Sequence, residues 1–253
     1  VLIDECRELF GEIYEQIPEL PFCNIWTAMQ LSSRLPKGAL FHMGVSNTRR
    51  CWNMFQLPES VESACNVGCC GIDGCVSTLV GASLVNPDRL CYVVVGDLTF
   101  FYDLNSLGNH HIGTNLRVML VNNGRGTEFR LGIHHCNVFG DDADKYMAAA
   151  GHFGNKSPLL VKHYAEDLGF HYLSATTKEE FMTALSNFTN PQLSDHSMIL
   201  EVFTDSKDES EALYLMSHIQ SDAKGMVRSK LKDAVRNVAG EKGINAIKKI
   251  LKK

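Results

Sequence analysis

Two short polar clusters carry the chemistry, because each follows an apolar run. Cys91-Tyr92-Val93-Val94-Val95 ends in Gly96-Asp97-Leu98, and Val118-Met119-Leu120-Val121 ends in Asn122-Asn123-Gly124-Arg125-Gly126. A carboxylate, an amide oxygen and a free loop carbonyl are hard oxygen donors. Gathered together they suit Mg²⁺, which commonly shares such ligands with phosphate groups. A βαβ unit would gather them. Each run has the length and β-branched content of a buried strand, and Asp103-Leu104-Asn105-Ser106-Leu107 reads as the returning helix. Strands joined this way are parallel, so Asp97 and Asn122-Asn123 leave the sheet at one carboxyl edge, where open α/β sheets bind ligands. Alone, the two dipeptides also fit an ordinary crossover with polar turns.

Two further blocks lie upstream. Residues 66–82 read Asn-Val-Gly-Cys-Cys-Gly-Ile-Asp-Gly-Cys-Val-Ser-Thr-Leu-Val-Gly-Ala, and residues 44–50 read Gly-Val-Ser-Asn-Thr-Arg-Arg. The spacing from Gly96-Asp97 to Asn122-Asn123 resembles the signature of thiamine diphosphate enzymes. The upstream blocks resemble the menaquinone-pathway synthase family that joins 2-oxoglutarate to isochorismate. There the corresponding segments are Asn-Arg-Gly-Ala-Ser-Gly-Ile-Asp-Gly, and Gly-Asn-Ser with an arginine four residues after the serine. Three blocks in order carry this resemblance over about residues 20–205.

The resemblance implies a function for named residues. Asp97 and Asn123 would bind Mg²⁺ through their side chains and Arg125 through its backbone carbonyl, and the metal would hold the diphosphate of thiamine diphosphate. Gly96, Leu98, Thr99 and Gly126 would complete the cofactor cradle. Ile72 matches the apolar wedge that folds the cofactor into a V, which brings its amine close to the reactive carbon. The carbonyl of Cys70 would accept from the pyrimidine amine. Ser46 and Arg50 match positions that bind substrate carboxylates, and Phe129 matches an aromatic over the substrate pocket. The family's activating glutamate lies in a pyrimidine-binding domain that this chain lacks, so the chain alone is expected to catalyse nothing. One departure concerns the substrate. Val67 stands where the synthases carry the arginine of Asn-Arg-Gly, and an apolar side chain offers a carboxylate no bidentate grip. The expected activity is therefore decarboxylation of a 2-oxo acid with transfer of the carbanion to an acceptor. The alternative is a regulatory or assembly module that retains the fold without catalysis.

The elements that must position these residues alternate strand and helix, which argues an α/β fold, a doubly wound, mostly parallel sheet with helices on both faces. Helices are expected over residues 1–18, 23–34, 75–85, 143–151, 157–167 and 178–188, the last capped by Thr176 or Thr177. Strands are expected at 39–43, 90–95, 116–121, 170–172 and 198–203. Gly74, Ser77, Gly81 and Ala82 are expected to let the 75–85 helix pack closely. Three parts follow: a helical lead-in from a missing central domain (1–35), the diphosphate-binding domain (36–210) and a basic amphipathic helical extension (211–253).

Composition narrows the setting. The chain has 253 residues, enough for a full core, and no apolar run long enough to span a bilayer. Nine cysteines, an odd number without framework spacing, fit a reducing cytoplasm. His110-His111, His134-His135-Cys136 and the cysteines at 65, 69, 70 and 75 match no zinc or iron–sulfur spacing. The opening Val1 has no signal-peptide character, so the chain reads as an excised C-terminal part or one subunit of a split enzyme. Residues 222–253 carry a local charge of +7 against −12 elsewhere. The plainer reading is a wet face on helices packed against the domain or a sister subunit, and the sharper one is an interfacial helix for anionic lipid or nucleic acid. The plainer is favoured, so neither nucleic acid nor membrane is expected as a partner. A homodimer or tetramer is implied by the resemblance, since the cofactor there sits between domains of two subunits.

Overall fold

The computed structural model describes residues 2–68, 71–132, 134–154 and 156–219, with nothing said of the side chains of residues 2–7. Cys70 and the basic extension from residue 220 onward lie outside the described residues. The expected parallel sheet is present, and all of its pairings are parallel. Its six strands are β1 (Leu40–Met43), β2 (Glu62–Cys65), β3 (Cys91–Gly96), β4 (Leu116–Asn122), β5 (His171–Ala175) and β6 (Met198–Phe203), in the spatial order β2-β1-β3-β4-β6-β5.

Strand alternation divides the interior in two. Tyr92 and Val94 of β3 and Met119 and Val121 of β4 face one core, while Cys91, Val93, Val95, Val118 and Leu120 face the other. The first core is closed by α2 (Asn24–Leu31), α3 (Asn47–Trp52), α8 (Lys178–Phe188) and α9 (Ser206–Met216). The second is closed by α4 (Cys75–Leu84), α5 (Asp97–Asp103) and α7 (Leu160–Asp167). Both faces are covered, so the central strands are buried throughout and read as continuous apolar runs. Outside this frame lie α1 (Leu2–Glu15) and the single turn α6 (Ala143–Tyr146). Among the described residues no helix is long and apolar enough to cross a membrane.

Several expected elements are corrected. The crossover helix does not begin at Asp103 but at Asp97, and a 3-10 turn Leu104–Gly108 follows it. The sequence hid this start because Thr99, Phe100, Phe101 and Tyr102 are weak helix formers; burial of Thr99 and Phe100 overrides propensity. The 143–151 helix shrinks to α6, because Met147 leaves the helix with φ −119° and ψ 101° and the chain turns through Ala150. The next helix begins at Leu160 rather than residue 157, past Pro158. In α4 the small residues do not make the close contact expected of them. Ser77 and Gly81 face outward, and Cys75, Val76, Leu79 and Val80 pack on the sheet. Strand β2 and helices α3 and α9 were not anticipated. For α8 the cap is Thr177, whose hydroxyl accepts from the Glu180 N–H at 3.2 Å, while Glu180 reaches back to Thr176 at 2.7 Å.

Candidate functional site at the carboxyl edge

The strand order fixes where a ligand can enter. From β1 the chain turns through α3 toward β2 on one side, and from β3 it turns through α5 toward β4 on the other. The loops after β1 and β3 therefore part at the carboxyl edge and leave a crevice at the topological switch point. A cavity of about 140 Å³ lies there. Every block singled out in the sequence reaches it: Ser46 after β1, Ile72 before α4, Gly96 to Thr99 after β3, and Asn123, Arg125, Gly126 and Phe129 after β4.

Asp97 occupies the first position of α5, preceded by Gly96 in extended conformation. It is 3% exposed. One of its oxygens accepts from the Leu98 N–H at 3.0 Å, in the helix's first turn, where unpaired N–H groups and the helix dipole favour an anion. The other oxygen meets His152 Nε2 at 2.7 Å. The Nδ1 of His152 accepts from the Gly154 N–H at 2.9 Å, which leaves Nε2 to carry the proton given to Asp97. The imidazole also packs against the Phe101 ring, with centroids 5.3 Å apart.

His152 was missed by the sequence reading. It lies 55 positions from its partner, between the expected helices 143–151 and 157–167, and no spacing motif marks it. Gly126 brings it in. A Cβ there would stand 2.2 Å from the Ala149 carbonyl and 3.0 Å from Leu98, so only glycine lets the loop after β4 and the 149–152 segment pack this closely.

Asn123 and Arg125 line the pocket beside Asp97, and the Arg125 N–H donates to Asn123 Oδ1 at 3.3 Å. Asn122 turns away from them. Its amide donates to Glu201 at 2.8 Å, and its Oδ1, though buried, has no partner among the described residues. Ile72 and Phe129 are half-buried, belong to neither core and line the pocket, which separates them from plain core side chains. Ser46 carries φ 58° and ψ −123°, a region that strongly favours glycine, so the wall it occupies is strained. Arg50 does not stand free. Its guanidinium donates to Glu128 at 2.8 and 3.2 Å and to Asn47 at 2.8 Å.

Two more carboxylates lie under the pocket, and neither was anticipated. Glu209 of α9 is 3% exposed and accepts from the Asn24 N–H at the start of α2 (3.0 Å) and from the Thr204 hydroxyl (2.6 Å). Burial pushes its carboxyl up to about 7, against the opposing pull of these two hydrogen bonds. Glu201 of β6 is likewise raised by burial, with Asn122 and Tyr172 donating to it. The charge of Asp97 raises both further. Burial and the charge of Asp97 thus both oppose ionisation of the acids beneath the pocket.

Comparison with known proteins decides the relationship. Over 196 residues the chain is 34% identical to the 2-succinyl-5-enolpyruvyl-6-hydroxy-3-cyclohexene-1-carboxylate synthase of Bacteroides fragilis, a match covering 78% of this chain and 34% of the relative. The chain is a homologue of these synthases. The synthase of Phocaeicola vulgatus is 34% identical over 200 residues, covering 78% of this chain and 34% of the relative. That of Christiangramia forsetii is 33% identical over 199 residues, covering 79% and 33%. The chain therefore spans about a third of the length of the curated relatives it matches. No protein-family model matches it.

Proposed function

We propose that this chain is the diphosphate-binding part of a thiamine diphosphate- and Mg²⁺-dependent enzyme. The enzyme would decarboxylate a 2-oxo acid and pass the resulting carbanion to an acceptor. The observation that carries this reading is convergence: Asp97, Asn123, Arg125 and Ile72, chosen from three separate sequence blocks, line one pocket at the switch point of the sheet. The residues present fit the group. A buried carboxylate at a helix N-terminus, an amide oxygen and a loop carbonyl form the hard-oxygen set Mg²⁺ takes. Asp97 lies close enough to Glu201 and Glu209 to raise both, so a divalent cation beside it would relieve their repulsion.

In this reading the bound cofactor supplies the carbanion-stabilising chemistry. The chain's own residues bind and orient. Asp97, Asn123 and the Arg125 carbonyl hold the metal. First-turn N–H groups of α5 beyond that of Leu98, which Asp97 takes, would donate to the diphosphate. Thr99, buried at the pocket wall, offers a hydroxyl, and Ile72 sets the cofactor's bend. His152 holds the Asp97 carboxylate in one orientation, as outer partners of metal ligands do. The activating glutamate would come from a pyrimidine-binding domain of the same parent chain or a sister subunit in a dimer or tetramer. The match to only a third of the relatives' length supports that division.

The test is to purify the full-length protein with Mg²⁺ and assay released thiamine diphosphate by thiochrome fluorescence, beside Asp97→Ala. Stoichiometric cofactor in the wild type, lost in the variant, is expected. Absence from both, even after saturation, would overturn the reading in favour of a non-catalytic module.

A further inference from the structure

The guanidinium of Arg50, beside the pocket, is already engaged. Arg50, at the end of α3, faces Glu128 in the 3-10 turn Thr127–Arg130, and the two meet end-on with Nη1 to Oε2 at 2.8 Å and Nη2 to Oε1 at 3.2 Å. Asn47 takes a further donor of Nη1 at 2.8 Å. This is the bidentate fork that a guanidinium offers to a carboxylate, filled from within the chain. Glu128 itself lines the pocket, as does Asn47. Val67, where the synthases' second arginine would stand, is 39% exposed and apolar.

We propose that Glu128 is a specificity-determining residue that fixes the substrate class as a 2-oxo acid with an uncharged side chain, not a dicarboxylate. This rests on the reading of the pocket given above. A second substrate carboxylate arriving at Arg50 meets a fork already holding a carboxylate. To bind, it must displace Glu128 and then sit beside that displaced negative charge. The exchange replaces one ion pair by an equivalent one and adds a like-charge contact, so it gains nothing. An uncharged side chain makes no demand on the fork and leaves the pair intact. The pair is only part-buried, with the Arg50 and Glu128 side chains 36% and 25% exposed, so removing the charge of Glu128 leaves no sealed, unpaired guanidinium.

Glu128→Gln keeps the shape and frees the charge. The experiment compares wild type, Glu128→Gln and the Arg50→Gln/Glu128→Gln double variant of the full-length protein in two ways. Calorimetric titration with glutarate and with butyrate, which do not react, reads binding. The kcat/KM ratio for 2-oxoglutarate against pyruvate reads specificity after loading with thiamine diphosphate and Mg²⁺. Glu128→Gln is expected to bind glutarate tighter than wild type by about tenfold to hundredfold, the worth of charged hydrogen bonds. The kcat/KM ratio should shift toward 2-oxoglutarate by a similar factor through KM, and the double variant should lose the gain. Equal glutarate affinity in wild type and Glu128→Gln overturns the proposal, as does wild-type preference for 2-oxoglutarate. Failure of the underlying reading shows separately, as no retained cofactor, and the glutarate titration still decides the role of Glu128.

Discussion

The two edges of the one sheet use opposite kinds of buried polar group. At the carboxyl edge they are acids. Asp97 holds the Leu98 N–H in α5, Glu209 the Asn24 N–H in α2, and Asp103 the Ser77 N–H in α4 at 2.7 Å. At the amino edge they are donors. Asn115 gives its amide to the carbonyls of Ser83, Asn86 and Arg89 at 2.9 to 3.1 Å, at and beyond the end of α4. The fully buried Arg117 donates to the carbonyls of Thr114 and Leu116 and to Ser194. The cause is the winding itself. Crossover helices start at the carboxyl edge with unpaired N–H groups and end at the amino edge with unpaired carbonyls. The difference teaches that an anion-binding site can form at only one edge. The amino edge is structural, its donors spent on carbonyls and Ser194, with only the Nε of Arg117 unpartnered there among these groups. The carboxyl edge keeps a buried Asn122 oxygen without a partner among the described residues, a strained Ser46 and the pocket that collects Asp97, Asn123 and Ile72.

Mutations at matched positions sharpen the contrast. The largest effect is expected from Asp97→Ala, which should abolish cofactor retention while Asn115→Ala leaves it unchanged; equal loss from both, assayed by thiochrome fluorescence, would erase the distinction between edges. Asn115→Ala should instead cost about 2–3 kcal/mol in urea unfolding, because three carbonyls lose one shared donor. Next comes Glu209. Its folded value near 7 lies above its ordinary 4.5, so the native state keeps a proton that the unfolded chain gives up between those pH values. Its contribution to stability is therefore present at low pH and declines by up to about 3 kcal/mol as pH rises toward 7. Glu209→Gln should flatten that slope in denaturation curves, while the same-signed part due to Glu201 remains. His152→Ala should weaken Mn²⁺ binding by about tenfold, seen by electron paramagnetic resonance, with Gln restoring part of the loss. The smallest effect belongs to Thr177→Ala, away from both edges' chemistry, at about 1 kcal/mol of thermal stability.

Much of the sheet was legible because strands buried on both faces leave continuous apolar runs, and β1, β3, β4 and β6 are of that kind. Strand β2, Glu62-Ser63-Ala64-Cys65, was not, since it lies at the sheet's edge with little buried surface and carries no apolar run. Helix α9 escaped notice because its opening Ser-Lys-Asp-Glu-Ser-Glu looks like a solvated run. Its Glu209, 185 residues from the N–H it holds, is buried only by the approach of α2. Asp97, Asn123 and Ile72 could be picked out by local blocks, and the pocket collects them without help from distant sequence.

The sequence by itself determined an α/β chain with a parallel sheet, the edge at which polar loops collect, and the residues of three loops that meet there. The sheet and its edge follow from hydrophobic period and loop chemistry, both local, and the loop residues from blocks that resemble the synthase family. Tertiary structure alone decided that His152 orients Asp97, that Glu209 and Glu201 are buried near Asp97, and that Glu128 takes the fork of Arg50. Each is a contact between groups 55 to 185 positions apart. Hydrogen bonds and charge act at a few ångströms in space, and spacing along the chain carries no record of which distant side chains will be brought that close.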